Sequence, residues 1–183
     1  YWLDPESGRM ATGWAKAADG KWYYFEGSGA MRSGGWMKQG SSWYYLSGSG
    51  AMQTGWLSKG GSWYWLDPES GAMATGWEKA SDGKWYYFEG SGAMQSSRWL
   101  KQGTAWYYLS GSGAMQTGWL LTGGAWYWMD PESGMMATGW LENGGSWYYL
   151  DPSSGAMATG TAVIDGTRYI FDDSGACADF VDE

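Results

Sequence analysis

Histidine is absent from the 183 residues, and cysteine occurs once, as Cys177. These gaps exclude Ser-His-Asp and Cys-His catalysis, an internal disulfide and the His/Cys ligand sets of zinc sites. Aliphatic side chains are scarce as well, with ten Leu, two Ile and two Val. No stretch of even ten consecutive apolar residues occurs, so no membrane-spanning helix is encoded. Eleven Lys and Arg stand against nineteen Asp and Glu, a net charge of −8. An acidic surface repels phosphate backbones, which argues against nucleic acid as a partner. The sequence opens with Tyr1 rather than Met, and any targeting segment is expected to lie outside it.

What is abundant is aromatic: 17 Trp and 14 Tyr, together with 11 Met and 32 Gly. With so few aliphatics, rings and methionines are expected to supply most of the interior. The glycines signal frequent turns.

The tryptophans are periodic. Trp14, Trp36, Trp56, Trp77, Trp99, Trp119 and Trp140 follow one another at spacings of 20 to 22 residues. Seven or eight residues after each comes a second: Trp22, Trp43, Trp63, Trp85, Trp106, Trp126 and Trp147. Each second Trp opens a Trp-Tyr-Tyr or Trp-Tyr-Trp run, and a Gly-x-Met precedes the next repeat. Residues 14–76 align without gaps to 77–139 with 13 differences, so a block of three repeats has been duplicated.

Within a repeat, the Trp-Tyr-Tyr-Leu run favours a strand and is too short for a helix. Gly-bearing turns lie between the paired tryptophans, among them Asp19-Gly20, Asp82-Gly83, Asn143-Gly144 and Asp165-Gly166. Such turns mark hairpins. A lone two-stranded hairpin is barely stable, but stacked hairpins can bury rings against one another. The expected fold is therefore all-β, a repeat solenoid of stacked β-hairpins. Residues 1–183 are read as one module: a partial repeat over 1–13, full repeats from 14 to 160, and an atypical cap over 161–183. In the cap Thr161 and Arg168 replace both tryptophans while Tyr169 remains, as terminal repeats of a solenoid often depart from the pattern.

The acids Asp67, Glu69, Asp130 and Glu132 sit beside Pro in polar turns and read as solvated turn-formers, not as a catalytic pair. No catalytic residue, metal or cofactor is expected. The tryptophans admit two readings. They are either the packing material of the stack or, since ring faces attract cations, walls of cages for a quaternary ammonium.

Comparison between repeats points to which rings would meet. Successive strand residues face opposite sides, so the second Trp and the Tyr after it point apart. That Tyr recurs at 1, 23, 44, 64, 86, 107, 127, 148 and 169. The cap keeps it without the tryptophans, which fits a site with two Trp from one hairpin and a Tyr from the next.

Thr-Gly-Trp-x-x-x-Gly-x-x-Trp-Tyr-Tyr-Leu closed by Gly-Ala-Met resembles the choline-binding repeat of Gram-positive and phage cell-wall proteins. The resemblance implies about three repeats per superhelical turn and a secreted, cell-wall-associated module that is not an enzyme. It implies sites for choline or phosphocholine groups of teichoic acids between consecutive hairpins, each with two Trp, a Tyr of the next repeat and a Met. Carried onto this chain, the sets are Trp14, Trp22, Tyr44 and Met31, then Trp36, Trp43, Tyr64 and Met52. Trp56, Trp63, Tyr86 and Met73 follow, then Trp77, Trp85, Tyr107 and Met94. The remaining sets are Trp99, Trp106, Tyr127 and Met115; Trp119, Trp126, Tyr148 and Met136; and Trp140, Trp147, Tyr169 and Met157. Arg98 replaces the usual Gly before Trp99 and is expected to place a cation beside that cage. Glucan-binding repeats share the Gly-Trp and Tyr-Tyr-Phe elements, so carbohydrate stacking on the same rings is the alternative. The sequence leaves open whether the chain forms a homodimer.

Overall fold

The structure, a computed structural model, describes residues 2–5 and 7–181. It is all-β, and the chain divides into two compact units, Tyr1–Gln95 and Ser96–Glu183. The first unit holds four hairpins. They pair β1 (Gly13–Lys16) with β2 (Trp22–Phe25) and β3 (Gly35–Gln39) with β4 (Ser42–Leu46). β5 (Gly55–Lys59) then pairs with β6 (Ser62–Leu66), and β7 (Gly76–Lys79) with β8 (Trp85–Phe88). The second unit continues the pattern with β9 (Arg98–Gln102) and β10 (Ala105–Leu109), then β11 (Gly118–Thr122) and β12 (Ala125–Met129). After β13 (Gly139–Asn143) and β14 (Ser146–Leu150) comes a three-stranded sheet of β15 (Gly160–Ile164), β16 (Thr167–Phe171) and β17 (Cys177–Val181). Within each unit the hairpins form a solenoid, as the repeats require. Among the described residues no helix is long and apolar enough to cross a membrane.

Two kinds of hairpin turn explain the two Trp–Trp spacings. Where the spacing is seven, two residues make the turn, as at Gly60 and Gly61 with φ of 59° and 80°. Both angles belong to the left-handed region that a tight hairpin demands. Where it is eight, the loop is longer, and Asp19 or Asp82 accepts a hydrogen bond from the N–H two residues on. Asn143 differs from expectation: it is the last residue of β13, and Gly144 and Gly145 make the turn.

The deepest position recurs from repeat to repeat as the last residue of the second strand. Leu46, Leu66, Phe88, Leu109, Met129, Leu150 and Phe171 are 0–2% exposed. Four of these seven are Leu, while across the described residues rings and Met (Phe25, Met37, Trp65, Tyr86, Phe88, Met129 and Phe171) outnumber Leu and Ile among the buried side chains, in keeping with the expectation for the interior. A pair of indoles is too large to be enclosed by a short hairpin, so the scarce aliphatics are spent where enclosure is complete. From β2 to β14, each end residue is bridged by a Met six or seven positions on, as Leu46 is by Met52. In the cap Phe171 pairs instead with Cys177.

The loops after the second strands are built on aspartate. Asp67 accepts from the N–H and hydroxyl of Ser70 at 2.7 and 2.6 Å, and Asp130 does the same with Ser133. The aspartates are thus turn-formers. Hydroxyls of Ser153 and Ser154, joined by the Ser154 N–H, hold the Asp151 carboxyl down at about 2. The same kind of bonding lowers Asp67, Asp130 and Asp172. A carboxyl lowered by folding stabilises above its ordinary value of 3.8, and that stability drains away as pH falls towards the lowered value. Melting temperature should therefore hold steady above about pH 5 and drop between about pH 4 and pH 2. Asp151→Ala should narrow the gap between melts recorded at the two ends of that range.

Candidate binding site

Cross-strand register assigns the faces of each hairpin. Trp14 lies opposite Tyr24, and Lys16 opposite Trp22, so these four share one face; Ala15 and Tyr23 share the other. The first Trp then meets the Tyr on the back face of the next hairpin. Ring centroids are 5.0 Å apart for Trp14–Tyr44, 4.9 Å for Trp36–Tyr64 and 4.8 Å for Trp56–Tyr86. In the second unit they are 4.9 Å for Trp99–Tyr127 and Trp119–Tyr148, and 4.8 Å for Trp140–Tyr169. All six pairs meet edge to face, at interplanar angles of 62° to 80°.

The second Trp completes an open box. In four repeats its ring stands steeply across the first, from 79° for Trp140–Trp147 to 89° for Trp119–Trp126, at centroid distances of 6.1 to 6.5 Å. Trp22, Trp43, Trp63, Trp85, Trp106, Trp126 and Trp147 are each 38–50% exposed. A purely structural stack would bury them. Instead seven indole faces are held half-open by their neighbours.

Two of the boxes are well-formed cavities. Trp14, Trp22, Tyr44 and Met52 line one of about 230 Å³, with Glu69 and Ser70 at its edge. Trp36, Trp43, Tyr64 and Met73 line another of about 300 Å³, with Gly90 and Ser91 in the corresponding places. A box thus draws on three consecutive repeats: the Trp pair, the next Tyr and Met, and the turn after that.

The methionines are one repeat away from their expected places. Met31 lines a different cavity, with Trp2, Tyr23 and Phe25. Met52 N–H donates to the Trp22 carbonyl and Met73 N–H to that of Trp43, each at 2.8 Å. Met94, Met136 and Met157 bond to Trp63, Trp106 and Trp126 in the same way. Met94 therefore belongs beside Trp63 in place of Met73, Met136 beside Trp106 in place of Met115, and Met157 beside Trp126 in place of Met136. The reason is geometric. Each of these five Met folds back on its own hairpin, so it travels with that hairpin's Tyr and stands against the preceding Trp pair. In the last box Cys177 takes the pairing position that Met157 holds on the hairpin before. The set of Trp77, Trp85 and Tyr107 stays an expectation, its residues belonging to different units. Tyr1 lies outside the described residues.

Arg98 departs from expectation as well. It is paired with Leu109 in β9–β10, on the face away from Trp99 and Trp106. Lys101 supplies the cation there, its Nζ 5.3 Å from the Trp106 ring centroid. Ser97 takes the left-handed conformation, with φ of 55°, in this repeat.

Tyr86 illustrates how a wall is fixed. Its hydroxyl donates to Asp82 at 2.7 Å, and burial together with that bond pushes its pKa up to about 12. It is a neutral ring with its hydrogen-bonding capacity turned away from the box. The chemistry left to the box is apolar contact and ring-face attraction for a cation. No group of three or more Cys, Asp or Glu among the described residues could hold a metal ion.

Solved structures with the same architecture include pneumococcal proteins. Choline binding protein F from Streptococcus pneumoniae is 40% identical, with a TM-score of 0.79 over 92% of this chain and 58% of that one. CbpJ from Streptococcus pneumoniae TIGR4 is 36% identical, with a TM-score of 0.78 over 93% and 66%. The modular autolysin LytC from Streptococcus pneumoniae is 31% identical, with a TM-score of 0.61 over 100% and 47%. The chain thus spans from about half to two thirds of these proteins. No curated protein sequence matches it. The choline-binding repeat family matches residues 1–36, 33–76, 69–99, 100–138 and 132–161. From its first hairpin to the start of its cap, this chain belongs to the choline-binding repeat family.

Proposed function

We propose that the chain is a non-catalytic attachment module that takes choline or phosphocholine groups of a cell-wall polymer, such as teichoic acid, at the bacterial surface. The observation that carries this reading is the exposure of the seven second tryptophans, each 38–50% exposed. In the Trp63, Trp106, Trp126 and Trp147 boxes the exposed indole stands across a first Trp that itself meets a Tyr of the next hairpin. Three ring faces in a partly desolvated box attract a quaternary ammonium by about 0.5–2 kcal/mol each. Single sites of that kind bind weakly, at roughly millimolar concentrations. A polymer that presents many head groups to many boxes gains from linkage, so the repeats serve together as one module.

Ligand that binds the native state alone stabilises by mass action, by about 2.7 kcal/mol per site at a hundredfold excess over Kd. Melting recorded in tens of millimolar choline chloride should rise well above melting in equal sodium chloride. Equal melting in the two salts, or stabilisation by a neutral glucan that choline does not displace, would overturn the reading.

A further inference from the structure

The boxes share their rings but not the side chain beside the second Trp. That neighbour is the residue directly opposite it in the hairpin, on the same face. It is Lys38 for Trp43, Lys101 for Trp106 and Glu142 for Trp147. Opposed side chains of an antiparallel pair start only about 5 Å apart. Lys38 and Lys101 reach the indole itself, with Nζ 5.9 and 5.3 Å from the ring centroids. Both, like Glu142, are solvent-exposed. At the edge of the Trp43 cavity Gly90 and Ser91 add no opposing charge.

We propose that this position selects which form of head group each box takes. The inference rests on the choline reading above. A trimethylammonium held on the Trp106 or Trp43 ring feels a lysine cation nearby. Choline alone is repelled there. Phosphocholine carries its own anion a few bonds from the ammonium, and that phosphate meets the lysine at the mouth of the box. At Trp147 the signs reverse: Glu142 attracts the bare ammonium and repels the phosphate. The module therefore contains boxes that prefer the phosphorylated head group and one that prefers choline without it.

The test uses the full chain labelled with 5-fluorotryptophan, with the fluorine resonances of Trp106 and Trp147 assigned through Trp106→Phe and Trp147→Phe. Choline chloride and phosphocholine are titrated separately at low salt. A unit charge ~6 Å away through water alters affinity about threefold. The preference for phosphocholine over choline should thus be at least about threefold greater at Trp106 than at Trp147. Lys101→Glu and Glu142→Lys should exchange that order. Lys101→Met keeps the stem against the ring and should abolish the phosphocholine preference while choline still binds. In ~1 M salt, where screening acts within about 3 Å, the two sites should converge. Equal ratios at both tryptophans, or ratios that the substitutions leave unmoved, would overturn the selection and leave choline binding intact. If neither ligand shifts any tryptophan resonance, the choline reading and this inference fall together.

Discussion

Trp56→Ala should destabilise the first unit by about 3 kcal/mol, towards the lower end for a large ring in a core. Trp63→Ala, in the same hairpin, should cost about 1 kcal/mol or less. The difference follows from the contacts. Trp56 meets Trp63, Trp65, Tyr86 and Phe88 at centroid distances of 4.8 to 6.1 Å. Trp65 and Phe88 are themselves only 3% and 1% exposed, so deleting Trp56 opens a cavity that nothing nearby can fill. Trp63 is 49% exposed and contributes one wall. On the binding reading, both substitutions remove one site from the choline stoichiometry. Denaturant unfolding and calorimetric titration of the two variants would therefore separate packing from recognition. If Trp63→Ala proved as destabilising as Trp56→Ala, the second tryptophans would be core and not walls of a box.

Gly71→Ala should have the second-largest effect and should show it in two assays. The glycine sits at φ +72°, and a Cβ there would overlap the Sδ and Cε of Met52. A left-handed residue with a side chain costs about 1–2 kcal/mol in any surroundings. The overlap adds more by driving Met52 out of its place beside Trp14, Trp22 and Tyr44. Gly76 is the control, since it has φ of +77° and nothing within 4 Å of a built Cβ. Gly76→Ala should carry the backbone cost alone. The excess in Gly71→Ala, with weakened choline binding at one site, measures the overlap. Combining it with Met52→Ala should remove that excess, giving a non-additive cycle. Additivity would mean that the turn does not press on the methionine.

Much of this was legible before any coordinates. Period, hairpins and faces follow from local rules: a Trp-Tyr-Tyr run alternates, a Gly-rich pair turns, and a short hairpin must stack. Tyr169, kept in a cap without tryptophans, pointed to a wall contributed backwards, and it does lie 4.8 Å from Trp140. What stayed hidden depends on where the chain goes after a hairpin ends. Met52 follows the Trp43 hairpin in sequence yet faces Trp22, because the connecting loop folds back onto its own strand. Glu69 and Ser70 reach the Trp14 box from two hairpins on, a distance that no local pattern expresses. Arg98 precedes Trp99, but adjacency along a strand means opposite faces, so the residue that matters is Lys101, two after the tryptophan. Cys177 could have been matched to the methionine column only by aligning the cap past its missing tryptophans.

The main-chain link from a Met to the Trp of the preceding hairpin, made by Met52, Met73, Met94, Met136 and Met157 and measuring 2.8 Å from Met73 to Trp43, bears on how the molecule responds to force. Within a unit, consecutive hairpins belong to separate sheets. Tension applied along the chain is therefore borne across ring contacts and these short tethers, and not along a continuous ladder of strands. Such a stack yields one link at a time. Each release pays out a repeat of 20 to 22 residues, about 70 Å of extended chain. On the binding reading, a polymer bridging several boxes of a unit would shunt load past those weak joints, so that occupied sites would act as rivets as well as anchors.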